Sequence, residues 1–315
     1  MLEPTPLQKI ITSLNQVVIG KAQVIELVMT GLLADGHLLI EDVPGVGKTL
    51  LAKSLAVLLN CRFKRIQFTP DLTPTDVTGF YVYNRKTGEF VLRQGPVMSN
   101  ILLADEINRT VPRTQSSLLE AMEERQVTID GNTMPLPRPF LVMATQNPIE
   151  HEGTFLLPEA QLDRFLLKIS MGYPSVEEEE QILKAQIQQS PLAGLQPVCS
   201  MEDILEYQNG CRQVRLHPSL VHYIVELISA TRSHPAVALG ASPRASLALQ
   251  RASQALAFLR DRDYVIPDDI KYLAGPVLLH RLIVKREERL HGLTSEALLQ
   301  EIIRSVKVPE SDEAL

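Results

Sequence analysis

Tryptophan is absent from this 315-residue chain, aromatic residues make up only 5% of it, and cysteine occurs three times, at Cys61, Cys199 and Cys211. So small an aromatic content suits α/β or helical packing, where aliphatic side chains fill the core, better than a β-sandwich. An odd number of cysteines with no C-x-x-C spacing argues against a disulfide framework and against a zinc site, and leaves reduced core thiols. No apolar run reaches the 18 or so residues of a membrane span. The opening MLEPTPLQKIITSLNQVVIG carries an acid and two prolines early and no apolar run of signal-peptide length, so a cytoplasmic protein is expected. A basic excess is missing too: the formal net charge is -6. The whole chain therefore lacks the general attraction to phosphate backbones that drives nucleic-acid binding, and only a local basic groove stays open to it.

What is present is enough chain for two domains, each with its own core. Residues 7–34 read as helix in two pieces broken near Gly20, and HLLI (37–40) as a short buried strand. TLLAKSLAVLL continues as helix. NILLADE (100–106) and FLVMATQNP (140–148) are two more apolar strands, separated by the helical RTQSSLLEAMEERQ. This alternation predicts an α/β fold with a parallel sheet wrapped by helices. Two hairpins interrupt it, FYVYNRKTGEFVL (80–92) turning at Lys86-Thr87-Gly88 and QVTIDGNTMPLP (126–137) turning at Asp130-Gly131. From GYPSVEEEE (172–180) onward the strand pattern stops and amphipathic helix takes over, which sets a domain boundary near Tyr173-Pro174: residues 1–173 form the α/β domain and 174–315 a helical one. The acidic run Glu177 to Glu180 reads as a solvated helix N-terminus favoured by the macrodipole, and the last few residues as frayed.

The chemistry concentrates at the strand ends. EDVPGVGKT closes on Gly47-Lys48-Thr49 between a strand and a helix, but Asp42 stands where G-x-x-x-x-G-K-[ST] begins with glycine. A bare G-K-[ST] arises by chance in roughly one chain in six of this length. Its position before a helix, where backbone amides and the dipole converge on phosphate, is what makes it a candidate nucleotide site. Gly45 and Gly47 supply permissive backbone, Lys48 reaches the outer phosphates, and the Thr49 hydroxyl is placed to hold Mg2+. Asp tolerates left-handed backbone angles, so the first turn survives, and its carboxylate is expected to point away from the phosphates. ILLADE ends in two carboxylates: Asp105 suits a Mg2+ ligand, and Glu106 a general base that polarises water. Asn147, at the end of the next strand, is placed to hold that water or the γ-phosphate.

With those three strand ends the sequence resembles the AAA+ ATPases and, among them, the MoxR family. EDVPGVGKT is similar to the Walker A loop, LLADEINR to Walker B, ATQNP to sensor 1, EGTFLLPEAQLDRF (152–165) to the arginine-finger segment and GASPRA (240–245) to sensor 2. The resemblance implies an AAA+ P-loop core with a C-terminal all-α lid, the two hairpins being the helix-2 insert and the pre-sensor-1 hairpin. It implies that Gly45, Val46, Gly47, Lys48, Thr49 and Leu50 bind the nucleotide, and that VVIG, with Ile19 and Gly20, contacts adenine. Glu106, Asn147, Arg164 and Arg244 are the implied catalytic set, Arg164 reaching the γ-phosphate of a neighbouring subunit.

The expected activity is Mg2+-dependent ATP hydrolysis in a homo-oligomeric, hexameric ring that remodels or activates protein complexes. The implied partners are a protein substrate and a separate protein carrying a von Willebrand factor A domain. A DNA translocase is the alternative; it is disfavoured by the acidic charge and by the sparse basic set Arg85, Lys86 and Arg93 in the first hairpin. A binding module without turnover is disfavoured because mere binding needs none of Glu106, Asn147 and Arg164. On the first hairpin Tyr81, Tyr83 and Phe90 offer an aromatic face that either grips a protein substrate or packs on the sheet.

Overall fold

The computed structural model describes residues 5–147, 153–188 and 191–309. The elements run α1 (Pro6–Val17), α2 (Ala22–Leu33), β1 (Leu38–Glu41), α3 (Lys48–Leu58), β2 (Phe63–Gln67), α4 (Pro74–Thr78), β3 (Gly79–Asn84), β4 (Glu89–Gln94) and β5 (Ile101–Asp105). They continue as α5 (Pro112–Glu124), β6 (Gln126–Ile129), β7 (Asn132–Pro135), β8 (Leu141–Gln146), α6 (Glu159–Leu162), β9 (Leu167–Ile169), α7 (Val176–Gln188) and α8 (Met201–Gln213). The last are α9 (Pro218–Ser233), β10 (Val237–Leu239), α10 (Pro243–Leu259), α11 (Pro267–Leu278), β11 (Ile283–Val284), α12 (Arg286–Leu290) and α13 (Ser295–Ser305).

Five strands form the main sheet in the order β2-β5-β8-β1-β9, and the β2–β5, β5–β8 and β8–β1 pairings are all parallel. The central strands are buried on both faces and so read as unbroken apolar runs. β2 is different. At the sheet edge only Ile66 of its five residues is buried, while Lys64, Arg65 and Gln67 face outward, which is why it offers no apolar run. Parallel registry brings the carboxyl ends of β1, β5 and β8 side by side, with Ile40 opposite Thr145 and Ala104 opposite Ala144. A ligand site is expected outside such ends.

Both hairpins form as the turn residues dictate. Asp130 and Gly131 take φ of 48° and 81°, the left-handed pair of a two-residue turn between β6 and β7. In the first hairpin Tyr83 lies opposite Phe90, with ring centroids 5.3 Å apart and both side chains exposed. Packing on the sheet therefore does not hold this pair.

The chain folds into two compact units that do not divide at Tyr173-Pro174. The first comprises residues 1–28, 37–157 and 169–205, the second 29–36, 158–168 and 206 onward. α7 thus sits in the unit of the sheet, because Lys21 Nζ donates to Tyr173 O at 3.1 Å and the Val198 amide to Leu58 O at 2.8 Å. Its acidic first turn is capped reciprocally, Ser175 N to Glu178 Oε2 and Glu178 N to Ser175 Oγ.

The second unit is helical, as expected, but not wholly so: β10 and β11 pair antiparallel across two short stretches too brief to show a pattern. Its core is aliphatic, with Leu227, Leu249, Leu256, Ile270 and Leu273 fully enclosed. Segment 158–168 belongs here because the Arg281 side chain, 4% exposed, ties it down. Arg281 Nε donates to Asp163 Oδ1 at 2.6 Å, and its two Nη atoms donate to the carbonyls of Asp163, Phe165, Leu166 and Val277. Neighbouring His280 donates through Nε2 to the Phe165 carbonyl at 3.1 Å. Pro148 and Glu152 of the expected sensor 1 and finger segments, and the C-terminal residues expected to fray, lie outside the described residues.

Candidate nucleotide site

Between β1 and α3 the chain makes a loop whose positive φ angles fall on glycine, 87° at Gly45 and 98° at Gly47. A Cβ placed on Gly45 would meet nothing within 4 Å, so the loop faces open space. Gly47 caps α3 with no side-chain hydrogen bond, so no side chain of the cap residue covers the amides of the helix's first turn. Lys48 Nζ donates to the carbonyls of Asp42 at 3.1 Å and Val43 at 3.0 Å, which folds the side chain back over the loop. Burial lowers its pKa, against the opposing pull of Asp42, Asp105 and Glu106.

Asp42 behaves only partly as the sequence suggests. Its carboxylate does turn into protein, accepting from the amides of Met171 at 2.5 Å and Gly172 at 2.7 Å, the Ser170 hydroxyl at 3.3 Å and its own neighbour Val43 N at 2.9 Å. The expected left-handed backbone is a correction: Asp42 is not among the residues of positive φ. An aspartate stands here because it anchors the chain leaving β9, not because the loop needs a special turn.

The acidic pair at the end of β5 splits as two different environments. Asp105 Oδ1 accepts from Thr145 Oγ1 at 2.6 Å, and Oδ2 from Arg65 Nη2 at 2.6 Å and Nε at 3.2 Å. Glu106 takes a left-handed backbone, φ 56°, and its amide donates to the same Thr145 hydroxyl at 2.8 Å. Strain of this kind in a non-glycine residue persists only where its surroundings fix it, and it aims the two carboxylates apart. Glu106 Oε2 accepts from Gln67 Nε2 at 2.5 Å and from Arg109 Nη1 at 2.9 Å.

Lys48, Arg65, Gln67, Asp105 and Glu106 line one cavity of about 400 Å3, together with Thr49, Leu50 and the buried Asn147. Beside it lies an apolar hollow of about 220 Å3 that shares Gly45, Gly47 and Leu50 with the first and adds Val17, Val18, Ile19, Val46 and Ile182. Its walls suit a flat heterocycle, the cradle a phosphate chain. Ile19 thus lines the hollow, but Gly20 does not: its φ of 74° shapes the turn into α2, and a Cβ there would lie 2.1 Å from the Glu178 carboxylate. Mg2+ characteristically keeps several waters and takes one or two carboxylates besides substrate phosphates. Asp105 and the Thr49 hydroxyl, on one cavity, fit that demand.

Arg164 and Arg244 belong to the second unit. Arg164 is half-buried in the turn after α6; Arg244 is exposed in the first turn of α10. The Asp163 carboxylate joins their two segments, since it accepts from Arg281 and from the Ser242 hydroxyl, at 2.8 Å, which also caps α10. Sequence reasoning missed Arg65, Gln67, Arg109 and Thr145. The signal was present in FKRIQ, where Arg65 and Gln67 are two apart and so share one face of a strand.

A strand-loop-helix cradle followed by an acidic strand end and a polar strand end defines a P-loop ATPase of the AAA class. Residues 37–167 match the ATPase family associated with various cellular activities (AAA), and residues 229–302 match the AAA lid domain. The chain is 55% identical over 303 residues to the uncharacterized protein YeaC of Bacillus subtilis, covering 96% of this chain and 95% of that one. It is 44% identical to Chaperone MoxR1 of Mycobacterium tuberculosis, over 96% of this chain and 82% of that protein. The crystal structure of a candidate ATPase from Cytophaga hutchinsonii superposes with a TM-score of 0.91 at 41% identity, covering 97% and 95% of the two chains. The chain belongs to the MoxR family of AAA+ ATPases.

Proposed function

We propose that the protein hydrolyses ATP with Mg2+, as a hexameric ring in the cytoplasm, and uses the cycle to remodel or activate partner protein complexes. The observation that carries the reading is the convergence of Lys48, Thr49, Asp105, Glu106 and Asn147 on one cavity at the ends of three adjacent parallel strands. The loop amides and Lys48 bind and orient the triphosphate, and the apolar hollow holds the base. Thr49 and Asp105 would hold Mg2+, which would supply neutralisation of the triphosphate's negative charge. Glu106 polarises the attacking water and takes its proton through Oε1, while Gln67 and Arg109 both donate to Oε2 and fix the carboxylate's orientation. Asn147 holds that water in line. Arg164 of a neighbouring subunit completes the charge on the γ-phosphate, and Arg244 couples the helical domain to the nucleotide.

The remodelling role is supported by the name of the Mycobacterium relative, a chaperone, and by the exposed Tyr83–Phe90 pair, which is an apolar grip for a protein substrate. A separate protein with a von Willebrand factor A domain is the proposed partner. Steady-state phosphate release by the purified protein, alone, with DNA and with such a partner, tests the reading. Mg2+-dependent turnover raised by the partner and indifferent to DNA is the expected result. No turnover in any condition removes the enzymatic reading, and stimulation by DNA alone replaces the substrate class.

A further inference from the structure

The Asp105 carboxylate accepts three hydrogen bonds, one on Oδ1 and two on Oδ2. Oδ1 takes the Thr145 hydroxyl and Oδ2 takes two donors from one guanidinium, that of Arg65, at 2.6 and 3.2 Å. The two attachments differ in kind. Thr145 lies inside the sheet, 1% exposed, and is fixed by the Glu106 amide as well. The Arg65 side chain is 47% exposed, stands on the edge strand β2 and donates as well to Gln67 Oε1 at 3.0 Å, a neighbour on the same strand face. It lines the same cavity as Lys48 and Glu106. Lys48, the other cation of the cavity, is turned to the carbonyls of Asp42 and Val43 instead.

We propose that Arg65 is the resident counter-ion of Asp105, which Mg2+ must displace before nucleotide is gripped tightly. The inference rests on the reading of Asp105 as a Mg2+ ligand. With two N–H donors of Arg65 on it, the lone pairs of Oδ2 are occupied, so direct Mg2+ ligation by that oxygen requires the guanidinium to withdraw. The consequence is a raised Mg2+ requirement: at low Mg2+ the acidic strand end stays neutralised, without exposing a bare pair of carboxylates to repel ATP. Once released, the guanidinium remains on the cavity wall as a second cation beside the triphosphate. Arg65 is therefore a positioning residue, acting on the metal ligand.

The test reads binding, not turnover. A fluorescent ATP analogue is held at fixed concentration with the full-length protein and Mg2+ is titrated, for wild type, Arg65→Gln and Arg65→Lys. A half-exposed ion pair contributes little, about the energy of a few-fold change in occupancy. Arg65→Gln should therefore lower the half-saturating Mg2+ concentration by about threefold or more, and Arg65→Lys, which keeps the charge but loses the two-pronged contact, should fall between. Analogue binding in EDTA should not strengthen in either variant. An unchanged Mg2+ requirement in Arg65→Gln overturns the proposal, and a raised one overturns it in favour of a phosphate-holding role for Arg65. If wild type itself binds the analogue with no dependence on Mg2+, the Asp105 reading fails, and the counter-ion role with it.

Discussion

Replacing Asp42 by glycine would restore the common G-x-x-x-x-G-K-[ST] pattern, yet it should make this protein markedly less stable. Asp42 is 6% exposed and its carboxylate accepts four hydrogen bonds, two of them from the amides of Met171 and Gly172 at 2.5 and 2.7 Å. Met171 is buried, so no water replaces the lost acceptor there; an orphaned buried donor costs about 1–3 kcal/mol, and bonds to a charged group stand at the upper end. The half-buried Gly172 amide and Ser170 hydroxyl rehydrate and add less. Glycine adds about 0.5–1 kcal/mol of backbone entropy. The sum is about 3–4 kcal/mol, or a fall in melting temperature on the order of 10 °C for a cooperative unit of roughly 200 residues. Circular dichroism during thermal and urea unfolding measures it, with Asp42→Asn as the intermediate case, since one carbonyl oxygen still accepts. A glycine variant that melts within about 2 °C of wild type refutes the anchor and returns Asp42 to a mere turn residue.

Glu106→Gln should bind nucleotide as wild type does while hydrolysis falls by about 10²–10⁴, because the amide cannot accept the water's proton; turnover near normal in phosphate release would assign the base elsewhere. His37 and His280 are buried, with pKa values pushed well below 6.5 by burial, and are neutral in the folded chain. The unfolded chain protonates both near 6.5, so their contribution is whole above that pH and shrinks as pH falls below it, by up to about 1.4 kcal/mol per pH unit for each. Urea unfolding between pH 7 and 5 should show this slope, reduced in His37→Asn; a flat profile contradicts it. Replacing Tyr83 and Phe90 together by serine should leave basal ATPase and melting temperature unchanged, since both are exposed, and weaken partner-stimulated turnover; a large loss of stability would mean that the pair packs.

The central strands and the two hairpins were legible because they carry strong local signals: buried apolar runs in ILLAD and LVMATQ, and turn residues at Asp130-Gly131. β2 was not, since an edge strand with one buried residue in five has no run to read. Arg65 and Gln67 went unread with it, although they hold the two most conspicuous carboxylates of the sequence. Asp42 looked like a defect in a loop, because the partners that explain it lie at 170–172, far along the chain. The place of segment 158–168 was illegible for the same reason: a single side chain, Arg281, gathers it through contacts more than a hundred residues away. Long-range polar contacts leave no periodicity, and local pattern is all that a sequence offers to inspection.

ATP hydrolysis at a site completed by a neighbouring subunit, as proposed above, is tested most directly by mixing two inactive variants. Equal amounts of Lys48→Ala and Arg164→Ala protein, each inactive alone, are mixed under conditions where labelled subunits exchange, and phosphate release is followed. An Arg164→Ala subunit keeps its own cradle, and an adjacent Lys48→Ala subunit still presents Arg164 to it. A finger arginine contributes about 10³ or more to turnover, so a few productive interfaces suffice for a signal. Activity above that of either variant alone is the predicted result; a mixture that co-assembles and stays inactive contradicts the account.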